Sequence, residues 1–474
     1  MNPEPLESSR PAVPATSIEG GKRYQAGALS YTVRGLLILS LWLLWGDFAF
    51  TFLENIYNRF ISIYLKDFHA SNSLIGVMTG SLVGTMNLFF LPNISQWSDR
   101  TRSRWGRRIP FLFVVTPLTV ASLLAICFAP DMAEWILAHV LSRLSPAVAV
   151  NTVILSLLFV FVASFHFFNM VLYNAYYWLL RDVIPLDLIT RFLAWFRIVG
   201  SLSSVLFLWV VFPHVLTHRK EVFLGVGFFY LVAFLLMCWN VKEGPYPDPA
   251  PRPERVGVLK SFRHYFRECL SLRIYRNFFI VYLLILSSNM AMGTYSILFC
   301  RESLGMGMDE MGKIFAWGAV ASAVVYYPMG WLCDRFNPLQ VALCSLLGFM
   351  ACLTLGFFLI HSAGGYLLFS IVSNVPTVGW MLGGTATMMR LFPEEKFGQF
   401  SSGLNVFGGA SLIFGNYITG WFMDLVHSNY RAMFLWSGML YALALYPMLR
   451  VYLDWKRHGG PHHYVPPLPP ETRA

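Results

Sequence analysis

Two carboxylates and an arginine sit in sequence that offers them no water. Asp47 and Glu54 lie seven residues apart in a stretch otherwise rich in Leu, Trp, Phe and Ile, and Arg197 lies in another such stretch. Seven residues are two helical turns, so the two carboxylates share one face. With a membrane span beginning at Gly35, Asp47 is about 18 Å along a helix rising 1.5 Å per residue, near the middle of a hydrocarbon layer about 30 Å thick. Arg197, in a span beginning at Thr190, is about 10 Å deep. A charge at such depth is costly and faces protein or a wet cavity. Asp47 and Arg197 can bind hydroxyl groups of a solute, or pair with each other. Asp47 and Glu54 can also take up and release a proton. Glu54, about 28 Å from the start of the span, can instead pair with Arg59 near the far surface. His166, in a fourth apolar stretch, is a third protonation candidate, or else a hydrogen-bonded core histidine.

Further polar groups lie in apolar surroundings. Tyr173-Asn174-Ala175-Tyr176-Tyr177-Trp178 combines aromatic faces with polar tips, a combination that suits sugars. Asn174, Tyr177 and Trp178 are substrate-binding candidates, although aromatic residues are common throughout this chain. Asn374 precedes Pro376 and Gly379, a pattern that predicts a broken helix exposing backbone to a cavity. Asn289, Asn405 and Asn416 are weaker candidates. Seven scattered cysteines include no CxxC pair, so no metal site or disulfide framework is expected. No Walker motif is present, and no cofactor or enzymatic reaction is expected.

The elements that hold these groups follow from composition. The chain is 56% hydrophobic and 13% charged over 474 residues, with 41 Phe. Soluble domains carry about twice that charge. Roughly 20 apolar residues cross a bilayer, and about twelve such stretches can be drawn. An all-α membrane protein of twelve transmembrane helices in two pseudo-symmetric six-helix bundles is predicted. With both termini cytoplasmic, 26 of the 35 Lys and Arg fall on inside segments and 8 on outside segments. The net charge of +10 thus reflects topology and lipid contact, not nucleic acid. Residues 1–34 read as a disordered tail and 35–241 as the first bundle, with the first span at 35–57. Residues 242–275 read as a linker, 276–453 as the second bundle and 454–474 as a cytoplasmic tail, disordered over Gly459–Ala474. Within the linker, Leu259, Phe262, Phe266 and Leu270 oppose Lys260, Arg263 and Arg267, the pattern of a basic helix on a membrane surface or of a partner-docking helix. Outside residues 131–146 suggest a short surface helix.

Two near copies of one motif follow spans half a chain apart. Ser98-Asp99-Arg100 leads to Gly106-Arg107-Arg108, and Gly330-Trp331-Leu332-Cys333-Asp334-Arg335 repeats the Asp-Arg pair. Upstream, Asn72-Ser73-Leu74-Ile75-Gly76 matches Asp309-Glu310-Met311-Gly312. Duplication in a polytopic chain points to a transporter built around a central site. Clustered arginines beside a carboxylate can form bidentate pairs that make and break as helices rock. Asp99, Arg100, Gly106, Arg107, Arg108, Gly330, Asp334 and Arg335 are the gate candidates.

This motif resembles the signature of the major facilitator superfamily. The spacer Thr101-Arg102-Ser103-Arg104-Trp105-Gly106 is more narrowly similar to the glycoside–pentoside–hexuronide:cation symporters and the sucrose–proton symporters. Leu179-Leu180-Arg181-Asp182-Val183-Ile184-Pro185 and Arg191-Phe192-Leu193-Ala194-Trp195-Phe196-Arg197 fit the same group, and Asp182 joins the gate set through that likeness. The resemblance implies sugar binding by Asp47 and Arg197. It departs at Ser95, where the superfamily has glycine. It departs again at Asn87 and Leu91, where the melibiose-type sodium acids would stand, and at Asn174, in place of a sugar-binding acid. Protons are therefore the expected coupling ion rather than sodium.

The resulting expectation is a plasma-membrane secondary transporter that takes up a sugar or glycoside with protons. Efflux of an amphiphilic small molecule is the alternative within transport, and a non-transporting membrane sensor is the alternative outside it.

Overall fold

The computed structural model describes residues 23–26, 29–141, 149–244, 270–393 and 396–468. An antiparallel hairpin, β1 (Arg23–Ala26) and β2 (Leu29–Thr32), leads into the first helix. Twelve helical rods follow among the described residues. In the first half they are α1 (Val33–Asp67), α2 (72–100), α3 (Ile109–His139), α4 (Val150–Val183), α5 (186–214) and α6 (Arg219–Asn240). In the second half they are α7 (Arg273–Ser303), α8 (Met308–Phe336), α9 (Pro338–Leu359), α10 (Ala363–Leu391), α11 (397–425) and α12 (Ala432–Arg457). Among the described residues, nine helices are long and apolar enough to cross a membrane, and α2 makes ten if its two arms count as one span. The other two, α8 and α11, are less apolar and pack against the opposite half.

Local sequence sets the helix ends. The Thr32 hydroxyl accepts from the Gly35 N–H at 3.1 Å and starts α1. Ser71 does the same for α2, accepting from Leu74 N–H at 3.2 Å. Asn337, at φ +78°, divides α8 from α9, and its side chain caps Leu339 N–H at 3.0 Å. Pro338 then takes the first helical position, where a missing N–H costs nothing. α2 bends by 53° between its arms, at the point where Leu91-Pro92 opens the second one.

Within the first half, α1 packs on α5 and α6, and α3 on α4 and α6. Within the second, α7 packs on α12, and α10 on α8 and α9. The halves meet where α2 touches α11 and where α5 touches α8. These two contacts exchange when the halves exchange, as an internal pseudo-two-fold requires. Large apolar side chains such as Leu41, Phe228, Trp239 and Leu359 remain exposed on the outer faces, where lipid is the natural solvent.

The structure corrects several expectations. α1 ends at Asp67, ten residues beyond the expected limit at 57. Residues 131–141 continue α3 rather than forming a separate surface helix, because nothing there interrupts the helical pattern. Residues 23–26 and 29–32 pair as two strands instead of belonging to a disordered tail. The C-terminal segment docks on the second half: the Tyr464 hydroxyl donates to Leu391 carbonyl at 3.0 Å, and Tyr275 donates to Pro467 carbonyl at 2.8 Å. α10 passes Pro376 as one helix, although a break is expected there. The basic linker helix at 258–270 lies almost wholly outside the described residues.

Deleting residues 459–474 removes both tail hydrogen bonds, at a net cost of about 1–3 kcal/mol. The detergent-solubilised protein is expected to melt several degrees lower, and an unchanged melting temperature would show that the docking adds nothing to stability.

Candidate functional site

A cavity of about 1470 Å³ lies between the halves. α1 contributes Asp47, Glu54 and Arg59 to its wall, α4 Tyr173 and Tyr177, α5 Arg197, and α10 Asn374. It reaches Gly330, Trp331 and Asp334 at the end of α8, so it opens at the end that carries the repeated motif. The substrate-binding candidates Asp47, Arg197, Tyr177 and Asn374 thus share one enclosure.

Asp47 is 3% exposed, and no hydrogen-bond donor reaches its Oδ2. Gly200 of α5 lies against it, and a Cβ there would stand 3.4 Å from Oδ2, an ordinary contact. No ion pair within 4.0 Å joins Asp47 to Arg197, which stays exposed to the cavity. Glu54 accepts from Asn169 Nδ2 at 3.2 Å and makes no ion pair with Arg59. Its place in the cavity rather than near a surface follows from the extra length of α1. Asn374 donates to Gly318 carbonyl at 3.1 Å and accepts from the Ser322 hydroxyl, tying α10 to α8.

Three candidates lie elsewhere. His166 is buried beside α2, with Nε2 2.9 Å from Met78 carbonyl and 2.7 Å from the Tyr57 hydroxyl. A carbonyl can only accept, so Nε2 carries the proton in that contact, and the ring is a core group outside the cavity wall. Asn174 turns back to donate to Met170 carbonyl at 2.8 Å on its own helix. Trp178 lies under the Arg108 guanidinium, 4.9 Å from carbon to ring centroid. Helical rotation separates these two from Tyr173 and Tyr177, which do face the cavity.

The first motif copy is a closed network within its own half. Arg107 grips Asp182 bidentately at 2.7 and 3.1 Å. Arg108 reaches Asp182 at 3.3 Å and Ser98 at 2.6 Å, and also pairs with Asp99. Glu243, just past α6, accepts backbone N–H groups of Arg107, Arg108 and Ile109 at 2.9, 2.8 and 2.6 Å, neutralising the start of α3. Gly106, at φ +108°, makes room, since a Cβ there would collide with Glu243. Arg100 makes no ion pair among the described residues. The second copy differs: Arg335 lies over Trp331 and Phe336 at 5.1 and 5.6 Å, and Asp334 lines the cavity mouth. Gly330 faces open space.

The opposite end is sealed. A Cβ on Gly76 would strike the Asn416 carbonyl, and one on Gly312 the Leu208 carbonyl. These glycines end the upstream halves of the duplicated sequence, and each lets two helix backbones touch across the halves. Asp424 at the end of α11 accepts N–H groups of Asn72 and Ser73 at 2.8 and 2.9 Å, and the Ser73 hydroxyl at 2.5 Å. Arg301 pairs with Asp67 across the halves at 2.8 Å. Asp424 and Glu243 carry no expectation from sequence, and Arg59 is expected only as a surface partner of Glu54, a pairing the structure does not show. Arg59 and Asp424 lie outside or at the edge of the expected spans, and Glu243 lies at the start of the linker, before its amphipathic stretch.

Two outcomes test this geometry. Gly76→Val and Gly312→Val each force the sealed end apart, so a cysteine placed at Ser204 should react severalfold faster with an impermeant thiol reagent added from that end. Equal rates would mean that the glycine contacts do not close it. Glu243→Ala strands three N–H groups and should lower stability by about 1–2 kcal/mol in thermal melts, against little change for exposed Glu221→Ala.

Residues 278–471 match the family model described as Major Facilitator Superfamily. The chain matches no curated protein sequence. Among solved structures it is similar to the nucleoside transporter NupG, with a TM-score of 0.65 at 13% identity over 87% of this chain and 100% of that one. It is similar to a bacterial homologue of the iron transporter ferroportin in its inward-facing state, with a TM-score of 0.63 at 15% identity over 88% and 99% of the two chains. The outward-facing form of that homologue gives 0.52 at 14% identity over 87% and 99%. The chain therefore shares the all-helical fold of these transporters over 87–88% of its length, and residues 278–471 carry the superfamily's sequence match.

Proposed function

We propose that this chain is a secondary transporter that moves a small polar solute across a membrane by alternating access, in the form of proton-coupled uptake of a sugar or glycoside. One observation carries the reading: a large central cavity open at one end and sealed at the other, with Asp47, Glu54 and Arg197 on its wall. A rigid pore would open at both ends, and a structural core would be filled. The glycine contacts at Gly76 and Gly312 provide a joint that can part when the motif end closes.

Asp47 and Arg197 lie on facing helices without touching, and that gap suits a hydroxylated solute bridging them. Asp47 Oδ2, buried and without a donor, is a place for a transported proton. Serine and asparagine side chains on α5, α7, α8 and α10 supply further hydroxyl partners. The better match to an inward-facing than to an outward-facing relative supports placing the motif end, with both termini, on the cytoplasmic side of a plasma membrane.

The test is uptake of labelled sugars by the purified protein in liposomes, with and without an imposed proton gradient. Gradient-driven accumulation is expected, and Asp47→Asn should reduce it at least about tenfold while leaving gradient-independent exchange measurable. Sugar uptake that moves no protons would remove the coupling. Accumulation by Asp47→Asn at the original rate would clear that carboxylate of the role.

A further inference from the structure

Asn169 of α4 carries a polar atom that its surroundings leave unsatisfied. Its Nδ2 donates to Glu54 Oε1 of α1 at 3.2 Å. Its Oδ1 is buried and receives no hydrogen bond. A buried amide oxygen calls for a donor. None comes from His166, three residues earlier on α4, whose Nε2 is engaged with the Met78 carbonyl and the Tyr57 hydroxyl. Glu54 lines the cavity, and Asn169 stands behind it. Among the described residues no cation pairs with Glu54; Arg59, on the same helix, lies over the Phe315 ring instead.

A carboxylic acid and a primary amide fit each other as a closed ring of two hydrogen bonds. The amide N–H donates to the acid carbonyl, and the acid O–H donates to the amide oxygen. Half of that ring is in place here. The other half needs a proton on Glu54, which supplies the donor that Asn169 Oδ1 lacks. Turning the amide over does not remove the need, because it sets Oδ1 against Oε1, two acceptors that only a proton joins. An ionised carboxylate held by one neutral hydrogen bond in a low-dielectric wall is costly, whereas the neutral acid is not. We propose that Glu54 and Asn169 form a proton-holding pair, separate from Asp47, that exchanges its proton with the cavity. Glu54 is the group that binds the proton, and Asn169 is a positioning residue.

Glu54 lies about 10 Å past Asp47 toward the sealed end, on the same helix face. It is therefore the first of the two carboxylates that water reaches when that end opens. The titratable groups around it are Asp47 and Arg59 of α1, His166 and Tyr173 of α4, Arg197 of α5, Tyr230 of α6 and, beside Arg59, Cys300 of α7. α2 approaches this level through the backbone that holds His166. Arg197 acts on Asp47. The two carboxylates thus take up protons in different surroundings, Asp47 in the field of a guanidinium and Glu54 against an amide.

The pair deepens the proton-coupled reading and rests on it for the proton's passage, but the pair itself is tested without transport. Infrared difference spectra of the purified full-length protein in lipid nanodiscs, recorded as the pH is stepped, reveal protonated carboxyl groups by their C=O stretch. One such band is expected to vanish in Glu54→Gln and to persist in Asp47→Asn. Asn169→Leu should keep the band and move it to higher frequency, because the acid carbonyl loses its hydrogen bond; a mere packing role would leave the frequency where it is. Glu54→Gln can close the same two-bond ring with Asn169, so it should melt at the wild-type temperature and serves as the folding control. In liposomes, the number of protons moved per solute should fall by about half in Glu54→Gln. No band lost in Glu54→Gln, or a band that stays in place in Asn169→Leu, would overturn the proposal. An unchanged proton count per solute in Glu54→Gln would do the same. Gradient-driven accumulation by a protein whose Glu54 is ionised throughout would sink the pair and leave the transporter reading standing. A band lost in Glu54→Gln and shifted in Asn169→Leu, with no solute movement under any gradient, would do the reverse.

Discussion

Hydrocarbon solvates neither charge nor unpaired backbone, and the rest of this structure follows from that constraint. Every charged group within the helical rods must find a protein partner or water. At the motif end, Arg107, Arg108, Asp99, Asp182 and Glu243 satisfy one another in a compact network. In the centre, Asp47, Glu54, Arg59 and Arg197 turn toward a shared cavity instead. The outer faces are left to leucine, phenylalanine and tryptophan.

Closure at one end depends on backbone contact rather than on charge alone. Gly76 and Gly312 occupy matching places in the two halves, and each abuts a carbonyl of the opposing half. Asp424 then binds the first N–H groups of α2, where the helix carries partial positive charge. Such hydrogen bonds are short and directional, so they favour a closed or an open joint over intermediate ones. The two motif copies divide their roles unequally. The first pairs Asp99, Arg107 and Arg108 within its own half, and the second leaves Asp334 at the cavity mouth. One half is thus braced internally while the other presents a free carboxylate.

Much of the architecture was legible in the sequence. Apolar length, the uneven distribution of positive charge between alternate connections and the duplicated motif sufficed for an all-helical, two-part membrane fold. Asp47 and Arg197 stood out because a charge inside an apolar stretch has few reasons to be there. Tyr177 and Trp178 could not be told apart in the same way. They are neighbours in sequence, yet one faces the cavity and the other lies under Arg108, a difference of about 100° of helical rotation. His166 attracted interest as a titratable group, but Tyr57 and Met78 hold it in the core.

The sequence by itself determined which segments must leave water and which residues carry charge into them, because both depend only on local composition. The tertiary structure alone decided which charges meet. The extra length of α1 put Glu54 and Arg59 into the cavity, and the approach of α11 to α2 made Asp424 a cap. Asp424 and its partners Asn72 and Ser73 are more than 300 positions apart in sequence. Such contacts depend on how rods rotate and cross, and a one-dimensional pattern holds no record of a crossing.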